Sequence, residues 1–209
     1  MRIRVDDGSV RRVRGMLFDM DGTIVDSGAA TERTWKQWAE RMGVGDRLEI
    51  LHGQPAIETV RALFPDVSPQ ELAELCADQT IAEREDLDGV VALPGARELH
   101  SYLEMNGIPW AVVTSADLLL AQARLGAAGI TPPILVTCED ITHGKPHPEP
   151  FLLGASLIGI DITECVVVED APAGVQAGLA SGAVTAALNG HAATVGIRDL
   201  AHLQELVTQ

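Results

Sequence analysis

The chain has 209 residues, 30 acidic against 15 basic side chains, a formal net charge of −15 and 46% hydrophobic content. That length allows one or two domains with a real core, and the apolar fraction excludes wholesale disorder. The negative balance argues against nucleic-acid or anionic-membrane binding, and no apolar run reaches the ~18 residues a membrane helix needs.

Residues 1–14 oppose the overall charge, with five arginines and two aspartates, a net +3 against −18 for the remainder. They read as a solvated basic arm or a short extra hairpin turning at Asp7-Gly8, without the apolar stretch of a signal peptide. The first strand signal is Gly15-Met16-Leu17-Phe18, running into Asp19. No convincing strand follows between about 27 and 90; helical patterns occupy 29–43, 55–64 and 69–86 instead. Ser68-Pro69-Gln70-Glu71 is a helix start, with Ser68 as N-cap and Glu71 placed for a capping box. Trp35 and Trp38, three apart, read as packing residues. The chain then returns near Leu93-Pro94-Gly95.

Strand and helix alternate from there. Apolar runs at 109–113, 133–137, 165–168 and 184–188 are separated by helical patterns at 95–106, 117–127, 148–159 and 172–181. A last helix, about 197–207, reads as peripheral. Continuous apolar strands fit a parallel sheet covered on both faces, so the fold class is α/β, with a helical unit inserted after the first strand. Three scattered cysteines, Cys76, Cys138 and Cys165, fit reduced thiols in a cytoplasm, with Cys138 and Cys165 structural. His100 and His202 read as surface residues.

In open α/β sheets, ligands bind beyond the carboxyl ends of the strands. Those ends supply Asp19 and Asp21, Thr114 and Ser115, Lys145, and Glu169 with Asp170. Four acids brought together would repel and raise one another's pKa unless a cation joins them. A hard, oxygen-liking ion such as Mg²⁺ answers that need. Thirteen of the 15 basic residues are arginines, so Lys145, one of two lysines, stands out. An EF-hand reading of Asp19–Thr23 fails, because its first ligand would fall on Leu17 and its last on Gly28. A G-x-x-x-x-G-K phosphate loop is absent. His143 and His147 flank Lys145 without a paired ligand in the local sequence, which gives no reason for a second metal.

Asp19-Met20-Asp21-Gly22-Thr23, Thr114-Ser115, Lys145-Pro146 and Glu169-Asp170, in this order, resemble the four motifs of the haloacid dehalogenase superfamily of phosphotransferases. The likeness runs from about Gly15 to His191. Leu93-Pro94-Gly95, Gly144-Lys145-Pro146 and Val168–Gly174 are similar to the sugar-phosphate phosphatases beside β-phosphoglucomutase. The resemblance implies a Rossmann-like parallel-sheet core, residues 1–26 and 92–209, and a small α-helical cap, residues 27–91. It implies Asp19 as nucleophile, Asp21 as general acid and base, and Lys145 as charge stabiliser. Mg²⁺ would be held by Asp19, Asp170 and the Asp21 carbonyl, with Glu169 a ligand directly or through water. Thr114, Ser115 and Lys145 would hold the phosphoryl oxygens, and His52 and Gln54 of the cap would touch substrate. Arg61 is a weaker candidate beside a solvated helix face.

The expected activity is hydrolysis of a small sugar or polyol phosphate through an aspartyl-phosphate, by a cytoplasmic monomer or weak homodimer. The alternative is a β-phosphoglucomutase-type mutase. That family places a histidine in the cap hinge, where ten residues past Asp21 this chain has Thr31, which favours water as acceptor. A haloacid dehalogenase would need neither Asp21 nor the metal acids. A response-regulator receiver has its acidic pair at the first strand, without a cap or Asp-x-Asp.

Overall fold

The computed structural model describes residues 1–51 and 53–208. β1 (Arg2–Arg4) and β2 (Val10–Arg12) pair antiparallel, with Ile3 fully buried and the five arginines of the segment exposed. The basic start is therefore the hairpin, not a free arm. β3 (Gly15–Phe18) and β4 (Val25–Asp26) follow, then α1 (Gly28–Arg41), α2 (Ala56–Leu63) and α3 (Pro69–Glu85). β5 (Val91–Ala92) pairs with β4, tying together the outgoing and returning connections of this helical insert.

The second half runs α4 (Ala96–Met105), β6 (Trp110–Val113), α5 (Leu118–Ala128), β7 (Leu135–Val136) and α6 (Glu149–Leu157). It continues with β8 (Cys165–Glu169), α7 (Pro172–Ser181), β9 (Val184–Ala187), β10 (Val195–Gly196), α8 (Leu200–Leu206) and β11 (Val207–Thr208). Six strands form one parallel sheet in the order β10-β9-β8-β3-β6-β7, while β11 closes on β1. β3 is flanked by strands that come later in the chain on both sides, so the order reverses there and a crevice opens at its carboxyl end.

Alternate side chains explain why these runs lack polar residues. Met16, Phe18, Trp110, Val112, Val166 and Val168 face α4, α5 and α8, whose Leu99, Leu103, Leu125, Leu200 and Leu203 complete that core layer. Leu17, Ala111, Val113, Val136, Cys165 and Val167 face the other way, onto Phe151 and Ala155 of α6 and Ala177 of α7. A sheet buried on both faces needs no polar alternation.

Two expectations fail against the packing. The last helix is not peripheral: Leu200 and Leu203 are buried against the sheet layer. His100 is not a surface residue, because it falls on the face of α4 that carries Ala96, Leu99 and Leu103. It is 6% exposed, and its ring stacks on Trp110 at 4.2 Å and meets the edge of Phe18. Neither ring nitrogen has a hydrogen-bond partner among the described residues, and burial pushes its pKa down to about 4. His202 is half-buried, its Nδ1 accepting from the Arg198 N–H.

The insert has its own small core of Trp35, Trp38, Val44, Val60 and Leu63. The tryptophans pack edge to face at 5.6 Å, and the Trp38 indole N–H donates to Asp78, so both serve the packing read from their spacing. The Ser68–Glu71 capping box starts α3 as expected. No helix of the described residues is long and apolar enough to cross a membrane.

Candidate active site

The site is built at the carboxyl ends of four neighbouring strands, β8, β3, β6 and β7. Asp19 follows β3 directly, and its N–H donates to the Val168 carbonyl of β8, which fixes where the side chain starts. Lys145, from the loop after β7, is 3% exposed and donates from Nζ to Asp19 Oδ1 at 2.5 Å, Glu169 Oε1 at 2.7 Å and the Val113 carbonyl at 3.0 Å. An ammonium has three N–H donors, and all three are used. Glu169, fully buried at the end of β8, accepts on Oε2 from the N–H groups of Asp170 and Ala171. Asp170 accepts from Thr23 Oγ1 at 3.1 Å. Ligand oxygens of Asp19, Glu169 and Asp170 all lie within 4.8 Å of one another.

Electrostatics follow from this crowding. Burial and the charge of Glu169 push Asp19 up to about 7 despite Lys145. Burial and the charge of Asp19 likewise push Asp170 up to about 7. Burial raises Glu169 too, against the pull of Lys145. Burial opposes the charge on Lys145, but Asp19 and Glu169 outweigh it and hold the lysine firmly protonated. Three carboxylates thus share one protein cation. The donor set is all hard oxygen, which suits a divalent ion such as Mg²⁺. The Asp19–Thr23 turn brings this about, since Gly22 has φ +79° and a Cβ there would lie 2.1 Å from Asp170 Oδ2. Only glycine lets the two loops close on each other.

A cavity of about 810 Å³ opens between this floor and the insert. Asp19, Asp21, Thr114, Ser115 and Asp170 line it, as does Gln54 of the insert. Lys145 and Glu169 stand behind Asp19 and are not among its lining residues. Thr114 is buried and accepts on Oγ1 from the Ala116 N–H, while Ser115 donates to the Gly53 carbonyl at 3.0 Å, joining insert and sheet domain. His52 lies outside the described residues. Arg61 is on an exposed face of α2, paired with Glu58, and does not line the cavity. Burial raises the Cys138 and Cys165 thiols to about 11 and about 12; Cys165 lies in the core beside the sheet, whereas Cys138 is half-buried and lines the cavity.

Three features escaped the sequence reading. Asp21 accepts from Ser27 Oγ at 2.6 Å and pairs with Arg124 at 3.0 Å. Arg124 is 5% exposed and also binds Glu83 at 2.7 Å and Thr31 at 2.8 Å, both from the insert. The signal was present: Arg124 is the only charge in α5 and shares its buried face with Leu120, Ala121, Leu125 and Ala128. His143 and His147 do have a neighbouring ligand, because Glu149, capping the Thr142 and His143 N–H groups, comes within 2.8 Å of His143 and 3.8 Å of His147.

Comparison with known proteins gives the family of the chain. A family model of haloacid dehalogenase-like hydrolases matches residues 13–182. Hexitol phosphatase A of Escherichia coli is 44% identical over 192 residues, covering 90% of this chain and 89% of the relative. Glycerol-1-phosphate phosphohydrolase 2 of Saccharomyces cerevisiae is 34% identical, covering 82% and 72%. The crystal structure of β-phosphoglucomutase from Clostridium difficile has the same fold, with a TM-score of 0.81, 20% identity and coverage of 92% and 96%. With its buried carboxylates, its lysine and these relatives, the chain belongs to the haloacid dehalogenase-like hydrolases, as a phosphoric monoester hydrolase.

Proposed function

We propose that the enzyme is a Mg²⁺-dependent phosphatase of small sugar or polyol phosphates, working through an aspartyl-phosphate on Asp19. The observation that carries this reading is that Asp19, tied from behind to buried Lys145 and through it to Glu169, lines a cavity together with Asp21 and Asp170. Asp19 Oδ1 is held by Lys145, and Oδ2 has no hydrogen-bond donor among the described residues, so the carboxylate is oriented and still accessible. It attacks phosphorus as the bond to the sugar oxygen breaks, and Asp21 gives that oxygen its proton. In the second half, Asp21 takes a proton from water as water attacks phosphorus, releasing inorganic phosphate and restoring the Asp19 carboxylate. Thr114 and Ser115 hold phosphoryl oxygens, and Lys145 spreads positive charge over Asp19 and the transferring group.

Asp19, Asp170 and the Asp21 carbonyl would hold Mg²⁺, which supplies charge neutralisation for the phosphoryl oxygens. Glu169 is better suited to act behind them, because Lys145 and two N–H groups already occupy its oxygens. We assign residues 27–91 as a cap over the core of 1–26 and 92–209, with Gln54 and His52 as substrate contacts. The hexitol and glycerol phosphatases among the relatives support an open-chain polyol phosphate as the substrate class. Three free cysteines support a cytoplasmic setting, and we expect a monomer or weak homodimer. A phosphate-release screen over hexitol, hexose, deoxy-sugar and glycerol phosphates tests this. Release with Mg²⁺ and none with EDTA is expected. Isomerised sugar phosphate without free phosphate would indicate a mutase and overturn the reading.

A further inference from the structure

A buried arginine in an otherwise uncharged helix calls for an explanation, since an unpaired buried charge is strongly destabilising. Arg124 faces inward from α5 and is held between two parts of the molecule. Its NH1 is 3.0 Å from Asp21 Oδ2, on the sheet domain. Its NH2 donates to Glu83 Oε1 at 2.7 Å on α3 and to Thr31 Oγ1 at 2.8 Å on α1. Asp21's other oxygen accepts from Ser27 Oγ at 2.6 Å, so both of its oxygens are fixed. Glu83 is itself 5% exposed, and Arg124 is its one ion-pair partner among the described residues. The planar guanidinium is therefore a rigid fork between one carboxylate of the core and one of the cap.

We propose that Arg124 is a positioning residue for Asp21, and that Glu83 makes this positioning depend on the cap being seated. With the cap in place, Glu83 and Thr31 anchor one nitrogen of the fork, and the other sets Asp21 at the cavity wall. With the cap withdrawn, Arg124 loses both anchors, and Asp21 keeps as a fixed donor only Ser27, which sits at the junction between β4 and α1. Proton delivery to the leaving oxygen is then tied to a closed site. This inference rests on Asp21 being the general acid of the proposed reaction, and the test separates the two claims.

The readout is the ratio of kcat/KM for a hexitol phosphate to kcat/KM for p-nitrophenyl phosphate. This constant covers the steps up to departure of the leaving group, and p-nitrophenolate departs without a proton whereas a sugar alkoxide does not. Asp21→Asn should lower the ratio by about 100-fold or more, the usual worth of general acid catalysis. Arg124→Lys, which keeps the charge but loses the fork, should lower it by about tenfold. Glu83→Gln, isosteric and within the cap, should lower it by at least about threefold. Arg33→Ala breaks a different pair, Arg33–Asp86 at 2.6 Å, and should leave the ratio unmoved even if both constants fall. If Arg124→Lys and Glu83→Gln keep the wild-type ratio while Asp21→Asn loses it, the positioning role is overturned and the acid assignment stands. If Asp21→Asn keeps the ratio, both fall. Should Arg124→Lys fail to fold, Glu83→Gln alone decides.

Discussion

Adding one carbon at Gly174 should disable the site from behind. Gly174 lies in the first turn of α7, under Glu169. A Cβ there would be 1.7 Å from Glu169 Oε1, 2.0 Å from Cδ and 2.5 Å from Oε2, where ordinary contact begins at 3.4 Å. The carboxylate would have to retreat by about 1.7 Å, the difference between the first and last of those distances. Its contact with Lys145, now 2.7 Å, and its bonds from the Asp170 and Ala171 N–H groups, 3.0 and 3.2 Å, would not survive. Overpacking costs about 1–3 kcal/mol, and stripping one partner from a buried ion pair about 3–5 kcal/mol. These overlap, so Gly174→Ala should lower unfolding free energy by about 3–5 kcal/mol. Lys145 would lose its second carboxylate and no longer fix Asp19, and kcat should fall about 100-fold. Gly126→Ala is the control: it lies inside α5 with nothing within 4 Å of its Cβ, and should change stability by no more than about 1 kcal/mol. Urea unfolding and phosphate release on the three proteins give both numbers. Equal behaviour of Gly174→Ala and Gly126→Ala would refute the role of Glu169 as the support of Lys145.

Two further outcomes concern protons. Asp19 and Asp170, each pushed up to about 7, must release protons before they can ligate a cation, so Mg²⁺ affinity should rise from about pH 6 to about pH 8. Calorimetric titration measures this, and equal affinity at both pH values would count against these two carboxylates as ligands. His100 has a folded pKa of about 4 against an ordinary 6.5, so only the unfolded chain takes up its proton between those values. Its contribution is present above 6.5, is lost as pH falls towards 4, and amounts to about 3 kcal/mol. In His100→Phe, which keeps a ring against Trp110, acid unfolding should lose that share of its pH dependence. An unchanged slope would show that the ring is not held neutral.

What could be read from the sequence was local. Four strands of the sheet, β3, β6, β7 and β8, are legible as apolar runs leading into polar residues, and the residues beyond those ends, Asp19, Thr114, Lys145 and Asp170, converge because a parallel sheet brings its carboxyl ends together. The insert was legible as a gap in strand signals, and its Ser68–Glu71 cap as a four-residue pattern. What escaped depends on distance along the chain. Arg124 lies 93 residues from Thr31 and 41 from Glu83, and no local pattern joins them. His100 reads as a surface residue because its side chain titrates, although helical spacing puts it on the inward face with Ala96, Leu99 and Leu103. The last helix looked peripheral because its burial depends on α4 rather than on its own short pattern. Gly174 belonged to a run that resembled the family, yet its physical reason is the space it leaves for Glu169.

The central claim is that Asp19 carries the phosphoryl group, and acid-quenched turnover tests it most directly. The enzyme, Mg²⁺ and a phosphorus-labelled hexitol phosphate are mixed, quenched in acid on the millisecond scale, digested and mapped by mass spectrometry. Label is expected on the peptide containing Asp19, lost on mild alkaline treatment, with neither label nor phosphate release in Asp19→Asn. Label on a different residue, or continued phosphate release by Asp19→Asn, would contradict it.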